Sequence, residues 1–329
     1  MTLLFADSFD HYNTTLQMAR KWDGPCGGAV LASGRNRQAW LNPGTYKNIN
    51  NLATVIVGQA ILSPNGDQYT GAFLSLRDGG TVQVDMALNA NGSISVRRNG
   101  TTTLGTSAAS TIRLSTWHYV ELKVLINNTS GTVDVKVDGT NVLSLSSQNT
   151  QQTANAYATT VNLDHITGSL YRDDFYICDA NGTANNDFLG DIKVESLMPN
   201  SAGTTTQFTP SVGANYTCVD ELISNDDTDY VESSTVGQID LYNYESLATT
   251  NGTILAVQAN LMAEKTDANV RQIRENCRVG ATTYAAGTTF TLDSGYLDHR
   301  FIREVSPNTG VAWTIAEINA SEWGIEVVA

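Results

Sequence analysis

Hydrophobic and polar residues alternate along most of this chain. The alternation has the period of two that is typical of a strand with one buried face. It is clearest in four segments: VQVDMAL (82–88), SISVRR (93–98), YVELKVLI (119–126) and VDVKVDG (133–139). Turns rich in Asn and Gly separate these segments and favour hairpins. The pattern therefore predicts antiparallel strands, with one tight hairpin that closes at Asp138-Gly139.

Helical periodicity is scarce. In residues 259–279 the apolar residues have mixed spacing, and two strands joined by a turn at Thr266-Asp267 fit as well as a helix. Near the end of the chain, Thr314 is followed three residues later by Glu317, which is the signature of a capped helix start. A short helix is expected there. The chain as a whole is predicted to be all-β.

The composition agrees with this fold class. Only 16% of the 329 residues are charged, and Thr, Asn, Ser and Gly are abundant, as in strands joined by polar turns. The length is sufficient for two domains. A Ser/Gly/Thr/Pro-rich stretch predicts a linker over 191–212, between a first domain over 1–190 and a second β-sandwich over 213–329.

The formal net charge of -14 narrows the range of partners. Nucleic acids and anionic membranes both attract clustered Lys and Arg, so neither is expected to bind. No apolar run approaches the length of a membrane span, and the start of the chain lacks the features of an export signal, so synthesis in a cytoplasm is expected. The cysteines form no CxxC pair, and free thiols are expected at Cys26, Cys178, Cys218 and Cys277.

Four segments of the first half resemble the laminin-G-type, concanavalin-like jelly roll. They are FADSFDHY (5–12), STWHYVELKVLI (115–126), GTVDVKVDGTNV (131–142) and LYRDDFYICDANG (170–182). The resemblance implies a jelly-roll sandwich in which the first and last strands pair within one sheet. It covers roughly residues 1–190, and its motifs mark a fold more than a function.

The second half resembles a β-rich module that recurs beside such jelly rolls in tailed-phage virion proteins. The segments that carry this resemblance are 226–247 and 304–328. Together the two resemblances imply a non-enzymatic structural protein of a phage virion, which forms or decorates a tail, a fibre or another appendage. They imply other virion proteins and further copies of this chain, in a symmetric homo-oligomer, as partners. A fold assigns no chemistry by itself, so this function rests on the resemblance alone.

The jelly-roll resemblance also concerns the acidic residues near the predicted first and last strands. In that family this end of the fold often holds one calcium ion, which makes Asp7, Asp10, Asp173 and Asp174 candidate calcium ligands. The alternative is that these carboxylates cap strand ends and accept hydrogen bonds from neighbouring backbone. The alternative is favoured, because calcium takes six to eight oxygen ligands and a lone Asp pair lacks that number. No other cofactor is expected.

Aromatic residues in loop-like sequence suggest an alternative function. Trp22, Trp40 and Tyr46 lie among Asn, Gly and Pro, where an exposed ring could stack on a sugar. The chain would then be a carbohydrate-binding adhesin, and a host-surface glycan would be its partner. Against this interpretation, large aromatic side chains more often form cores.

Catalysis is not expected. A polysaccharide-degrading enzyme, the second alternative, needs two carboxylates that face each other across a cleft, and no strand carries acids at alternate positions for this purpose. The four histidines stand in no HExxH motif and beside no nucleophile elbow, and no Gly-rich phosphate loop is found. The sequence therefore predicts a protein without enzymatic activity.

Overall fold

A computed structural model describes residues 2–31, 34–35, 37–64, 66, 69–164 and 168–329. The chain divides into two compact units, Met1–Val194 and Glu195–Ala329. Strands dominate both units, so the prediction of an all-β chain with sandwich architecture is confirmed. Within these described ranges, no helix is long and apolar enough to cross a membrane.

The first unit contains two antiparallel sheets. Its strands are β1 (Leu3–Asp7), β2 (Ala29–Leu31), β3 (Ala39–Leu41), β4 (Thr45–Leu52), β5 (Thr54–Leu62), β6 (Gly71–Asp78), β7 (Thr81–Leu88), β8 (Ile94–Arg98), β9 (Thr102–Thr106), β10 (His118–Leu125), β11 (Gly131–Val137), β12 (Thr140–Gln148), β13 (Ala158–Leu163) and β14 (Tyr171–Asp179). Sheet A has the order β12-β11-β10-β5-β14-β3-β2, with β1 also paired to β14. Sheet B has the order β4-β13-β6-β7-β8-β9. The first and last strands therefore pair, as the jelly-roll resemblance implies.

Local alternation explains how these strands form one core. In β11, Val133 and Val135 are fully buried, while the intervening side chains are partly exposed. Buried side chains of this kind from both sheets form a single apolar cluster. The β11–β12 hairpin closes at Asp138 and Gly139, whose φ angles of 50° and 76° suit a tight turn of the type that Asp-Gly favours. The predicted hairpin is confirmed.

Among the residues that the structure describes there are two short α-helices, and the sequence predicts one of them. Helix α2 (Ile315–Asn319) begins as expected, with the Thr314 hydroxyl accepting a hydrogen bond from the backbone N–H of Glu317. Helix α1 (Thr15–Lys21) was missed. It begins with a capping box in which Thr14 and Gln17 satisfy each other's backbone N–H groups. Such a short helix has too few apolar positions to show a clear period.

The second unit is built around one larger sheet. Its strands are β15 (Pro199–Thr206), β16 (Thr209–Pro210), β17 (Val231–Glu232), β18 (Ile239–Tyr244), β19 (Val257–Ala263), β20 (Gln272–Val279), β21 (Thr282–Ala285), β22 (Phe290–Thr291), β23 (Leu297–Arg303) and β24 (Glu322–Val327). The larger sheet has the order β15-β18-β24-β20-β21, with β22 also paired to β20, and β16–β17 and β19–β23 form separate pairs. Trp313 and Trp323 lie in its core.

Two sequence-based interpretations of this region can now be resolved. Residues 259–279 contain parts of two strands, β19 and β20, and no helix. The linker predicted over 191–212 is wrong, because strand β15 lies inside it and pairs with β18. Its Ser, Gly and Thr residues belong to an edge strand. The division between the two units falls after Val194.

Candidate functional site

The outer face of sheet A is covered by the chain itself. The segment 186–194, called the strap here, follows β14 and crosses this face. Glu121 projects from β10 to the side opposite the core and accepts a hydrogen bond from the Gly190 backbone N–H at 2.8 Å. On the same face, the Lys123 ammonium lies 3.0 Å from the Asp187 carboxylate. These polar contacts hold the strap without regular secondary structure.

Buried Asp174, partly buried Arg35 and exposed Asp191 hold the end of the strap. The Val194 backbone N–H donates to Asp174 Oδ1 at 2.8 Å, and the Arg35 guanidinium lies 3.2 Å from Asp174 Oδ2. Arg35 also pairs with Asp191 of the strap at 2.6 Å. Burial raises the pKa of Asp174 to about 6, although the Val194 hydrogen bond and Arg35 both oppose the shift. Asp174 therefore anchors the strap to β14.

The neighbouring Asp173 accepts hydrogen bonds from two backbone groups. Its Oδ2 accepts from the Arg35 N–H at 2.6 Å, and its Oδ1 accepts from the Asp174 N–H at 2.8 Å. Burial raises the pKa of Asp173 to about 8, and the adjacent Asp174 carboxylate adds to this effect. Asp10 contributes further negative charge to both groups and accepts from the Gln38 N–H at 2.9 Å.

The four candidate calcium ligands do not form one set. Asp7 belongs to a separate network, where its carboxylate accepts hydrogen bonds from Trp22 and Tyr12. Its predicted role as a calcium ligand is therefore replaced by a structural role. Asp10, Asp173 and Asp174 interact electrostatically, and backbone groups and Arg35 occupy their oxygens. Over the part of the chain that the structure describes, no group of three or more His, Cys, Asp or Glu suited to a metal is found. Calcium binding stays a prediction, which thermal unfolding with and without calcium would test.

Trp22 and Trp40 are core residues, so their predicted role in stacking on a sugar is wrong. Their exposed fractions are 2% and 1%. The Trp22 ring packs edge-on against Phe5, with a centroid distance of 4.8 Å, and its indole N–H donates to Asp7 at 2.8 Å. The indole N–H of Trp40 donates to the Gly27 carbonyl at 2.8 Å. Neither ring offers a face to a ligand.

Tyr46 differs from the two tryptophans. It lies on β4 opposite Asn162 of β13 and is partly exposed. The residues on both sides of Asn162, Val161 and Leu163, belong to the core, so Tyr46 and Asn162 lie on the outer face of sheet B. The Tyr46 ring also packs against the backbone at Gly24, where a Cβ atom would come within 2.4 Å of the ring. Because the side chain is still partly exposed on this outer face, Tyr46 remains a candidate for sugar contact.

The register of sheet B places Tyr46 at one end of a row that spans the sheet. One residue from each of the six strands lies beside its cross-strand partner on the outer face. The row runs Tyr46, Asn162, Ser75, Asp85, Arg97, Thr103 and is called the polar row here. With strands spaced 4.7–4.9 Å apart, its length is about 24 Å. A ligand along it would therefore be extended.

Two ion pairs stand over the centre of the polar row. The Arg97 guanidinium contacts both carboxylate oxygens of Asp85, at 2.9 and 2.7 Å. Arg77 donates to the Ser75 hydroxyl at 2.9 Å and to the Asp164 carboxylate at 2.6 Å. Asp85 and Ser75 are buried beneath, while the Arg77 and Arg97 side chains are 30% and 25% exposed. The surface therefore presents guanidinium donors above carboxylate acceptors.

The sequence analysis missed this set of residues. Asp85 and Arg97 stand in alternating strands, where their polar character only marks the side away from the core. No local motif distinguishes them from other outward-facing residues. The one available signal was the presence of opposite charges on two strands joined by a short turn, which favours a cross-strand pair.

A second polar group surrounds His118 but offers no general base. The residue lies in a shallow pocket of about 230 Å³ beside the β11–β12 hairpin. Its Nδ1 lies 2.7 Å from Asp138 Oδ2, and its Nε2 accepts from the Arg113 backbone N–H at 3.0 Å. Both ring nitrogens are therefore occupied by the fold. His118 therefore links the 113–118 segment to the β11–β12 hairpin.

Comparison with known proteins gives similarity of fold only. No family model and no curated protein matches this chain. Among solved structures, the alginate lyase vAL-1 from Chlorella virus matches with 11% identity and a TM-score of 0.38, over 54% of this chain and 98% of that one. The galectin LEC-6 of Caenorhabditis elegans matches with 12% identity and a TM-score of 0.32, over 44% and 97%. A sialidase of Trypanosoma rangeli matches with 11% identity and a TM-score of 0.34, over 46% of this chain and 26% of the sialidase.

The sequence-based prediction that this chain has no enzymatic activity is wrong, because the matched structures do not support excluding an enzyme. The matched structures include alginate lyases and a sialidase. At such low identity, the matches assign neither an activity nor a catalytic residue to this chain. The first unit is a jelly-roll β-sandwich of two antiparallel sheets.

Proposed function

We propose that the first unit binds a glycan along the polar row on the outer face of sheet B. The observation that carries this proposal is the row itself: six polar residues in register across six strands, with two partly exposed guanidinium groups above its centre. Outward-facing side chains of an ordinary strand need only be polar enough to contact water. Here Arg97 binds Asp85, and Arg77 joins Ser75 to Asp164, so hydrogen bonds connect the polar side chains at the centre of the row.

The chemistry of the row suits a sugar. Each sugar hydroxyl both donates and accepts hydrogen bonds, and guanidinium, carboxylate, amide and hydroxyl groups together supply both functions. The Arg97–Asp85 pair is bidentate, which fixes the orientation of its remaining donors and acceptors. At one end, the partly exposed ring of Tyr46 provides an apolar surface with a polar tip.

On the outer face of sheet B, residues 152–157 bind Gln83 of β7, while the Arg77 and Arg97 side chains remain 30% and 25% exposed. The strap covers the corresponding face of sheet A through contacts with Glu121, Lys123 and Asp174. A ligand on sheet A would have to displace those contacts, including two with buried carboxylates. Sheet B therefore supports the proposal better than sheet A does.

Replacement of Arg97 by methionine tests this proposal. Methionine retains much of the length of the side chain but removes its donors, so glycan affinity is expected to fall at least tenfold. Asn162→Ala is expected to weaken binding by a smaller factor, because it removes one amide. Lys123→Met, on the outer face of sheet A, is the matched control and should bind like the unchanged protein. A glycan array would identify the ligand, and titration calorimetry would then measure the affinities.

Two results would contradict the proposal. If Arg97→Met and Lys123→Met bound the glycan equally well, the site would lie elsewhere. If the unchanged, folded protein bound no glycan on a broad array, glycan binding itself would be rejected. Circular dichroism of each variant would show whether a loss of binding reflects a loss of folding.

Membership of a phage virion stays a separate prediction, based on the resemblance of both halves. In that setting, a glycan-binding unit would contact the host surface, and copies in a homo-oligomer would strengthen weak single contacts. Mass spectrometry of purified particles would test this prediction directly. Absence of the protein from the particles would contradict it.

A further inference from the structure

Charge is distributed unequally between the two units. Residues 1–194 contain 13 basic and 15 acidic residues, whereas residues 195–329 contain 6 basic and 18 acidic residues. The second unit therefore carries most of the net charge of -14. The first unit is close to neutral, and no excess of positive charge makes it attractive to polyanions.

The two partly exposed arginines at the centre of the polar row, Arg97 in the row and Arg77 beside it, each have a carboxylate partner. Arg97 uses Nε and one terminal nitrogen to bind both oxygens of Asp85. Arg77 binds Asp164 with a terminal nitrogen and Ser75 with Nε. Two guanidinium groups are thus matched by two carboxylates, and the centre of the row carries no net charge.

An acidic sugar would disturb these pairs. Its carboxylate or sulfate would place a third negative charge beside Asp85 and Asp164. Burial already raises the pKa of Asp85, and the nearby charge of Asp164 raises it further. An acidic group that took Arg97 for itself would leave Asp85, which is 2% exposed, without its partner, and an unpaired buried charge is strongly unfavourable.

A neutral sugar needs no such displacement. Its hydroxyls can accept hydrogen bonds from the guanidinium N–H groups that Asp85 and Asp164 leave free. The ion pairs then stay intact and act as a preorganised surface. The cost of binding is correspondingly smaller.

We propose that the polar row selects neutral, hydroxyl-rich glycans over glycans that carry carboxylate or sulfate groups, and that Asp85 and Asp164 determine this selectivity. The inference rests on the proposed glycan binding by the same row. It adds the ligand class, and it assigns the two carboxylates the role of neutralising Arg97 and Arg77.

The test uses the full chain and pairs of oligosaccharides that share one backbone and differ only at C6, which carries a hydroxymethyl group in one member and a carboxylate in the other. The neutral member is expected to bind at least tenfold more tightly. Equal or reversed affinity would overturn the selectivity while leaving glycan binding in place. Failure of both members of every pair to bind would instead overturn the proposed function, and this inference with it.

Two substitutions test the role of the carboxylates. Asp85→Asn and Asp164→Asn each remove a negative charge with little change of shape, so the neighbouring arginine becomes available to an anion. Each is expected to shift the preference at least tenfold towards the acidic member. Asp134→Asn, on β11 of sheet A, makes the same change in net charge and should shift nothing. An unchanged preference in folded Asp164→Asn, whose carboxylate is partly exposed, would overturn the assignment even if Asp85→Asn failed to fold.

Discussion

Replacing Trp22 by alanine is expected to lower the unfolding free energy of the first unit by about 3–5 kcal/mol. The side chain is 2% exposed and packs against Phe5 and Phe9, with centroid distances of 4.8 and 5.9 Å. Its indole N–H donates to Asp7, which is itself fully buried. Alanine would leave a large cavity and remove one donor from a buried carboxylate. Urea unfolding, followed by circular dichroism, would measure the loss.

A conservative replacement and a control variant make this prediction more specific. Trp22→Phe keeps most of the packing and loses only the hydrogen bond and part of the volume, so its loss should be smaller. Tyr230→Ala removes a 38% exposed ring of the second unit and should have little effect on the first. A Trp22→Ala protein of unchanged stability that no longer bound glycan would contradict the core assignment and restore this residue as a sugar platform.

The stability of the first unit is expected to fall as the pH rises from about 4 to about 8, because of Asp173 and Asp174. Burial raises the pKa of these groups in the folded protein to about 8 and about 6, from 3.8. The folded state therefore holds more protons than the unfolded chain between these values. The stabilisation is fully present below pH 3.8 and is lost as the pH rises through 6 and then 8. Each unit of pKa shift corresponds to about 1.4 kcal/mol, so we expect a total loss of several kcal/mol.

The Asp173→Asn variant provides the decisive comparison. Its amide cannot ionise, so the largest part of the pH dependence should disappear. It has one acceptor oxygen, whereas Asp173 accepts from both the Arg35 and Asp174 N–H groups, so it should be less stable by about 1–2 kcal/mol at low pH. The two curves of stability against pH are therefore expected to cross.

Denaturant unfolding at a series of pH values would measure both curves. Asp134→Asn, which makes the same change of charge on an outer strand of sheet A, serves as the control and should follow the unchanged protein. If Asp173→Asn retained the full slope, Asp173 could not be the main source of the pH dependence.

The sequence by itself determined the local structure of this protein. Alternating residues in β7, β8, β10 and β11 specified the strands, because a pleated strand turns successive side chains to opposite sides. Asp138-Gly139 specified a hairpin through its tolerance of positive φ, and Thr314 specified a helix start through one hydrogen bond. Each of these features depends on residues within a few positions of one another.

The tertiary structure alone decided which polar and aromatic residues form a site. Trp22 and Tyr46 both lie in sequence rich in turn-forming residues, yet one is in the core and the other on the outer face of sheet B. The polar row unites Tyr46 with Asn162, more than a hundred positions away, through strand register. Register follows from the packing of two whole sheets around one core, and a shift by one residue would turn every side chain of a strand to the other face. A short segment therefore shows which side chains share a face, but only the assembled sandwich determines which residues of other strands lie beside them.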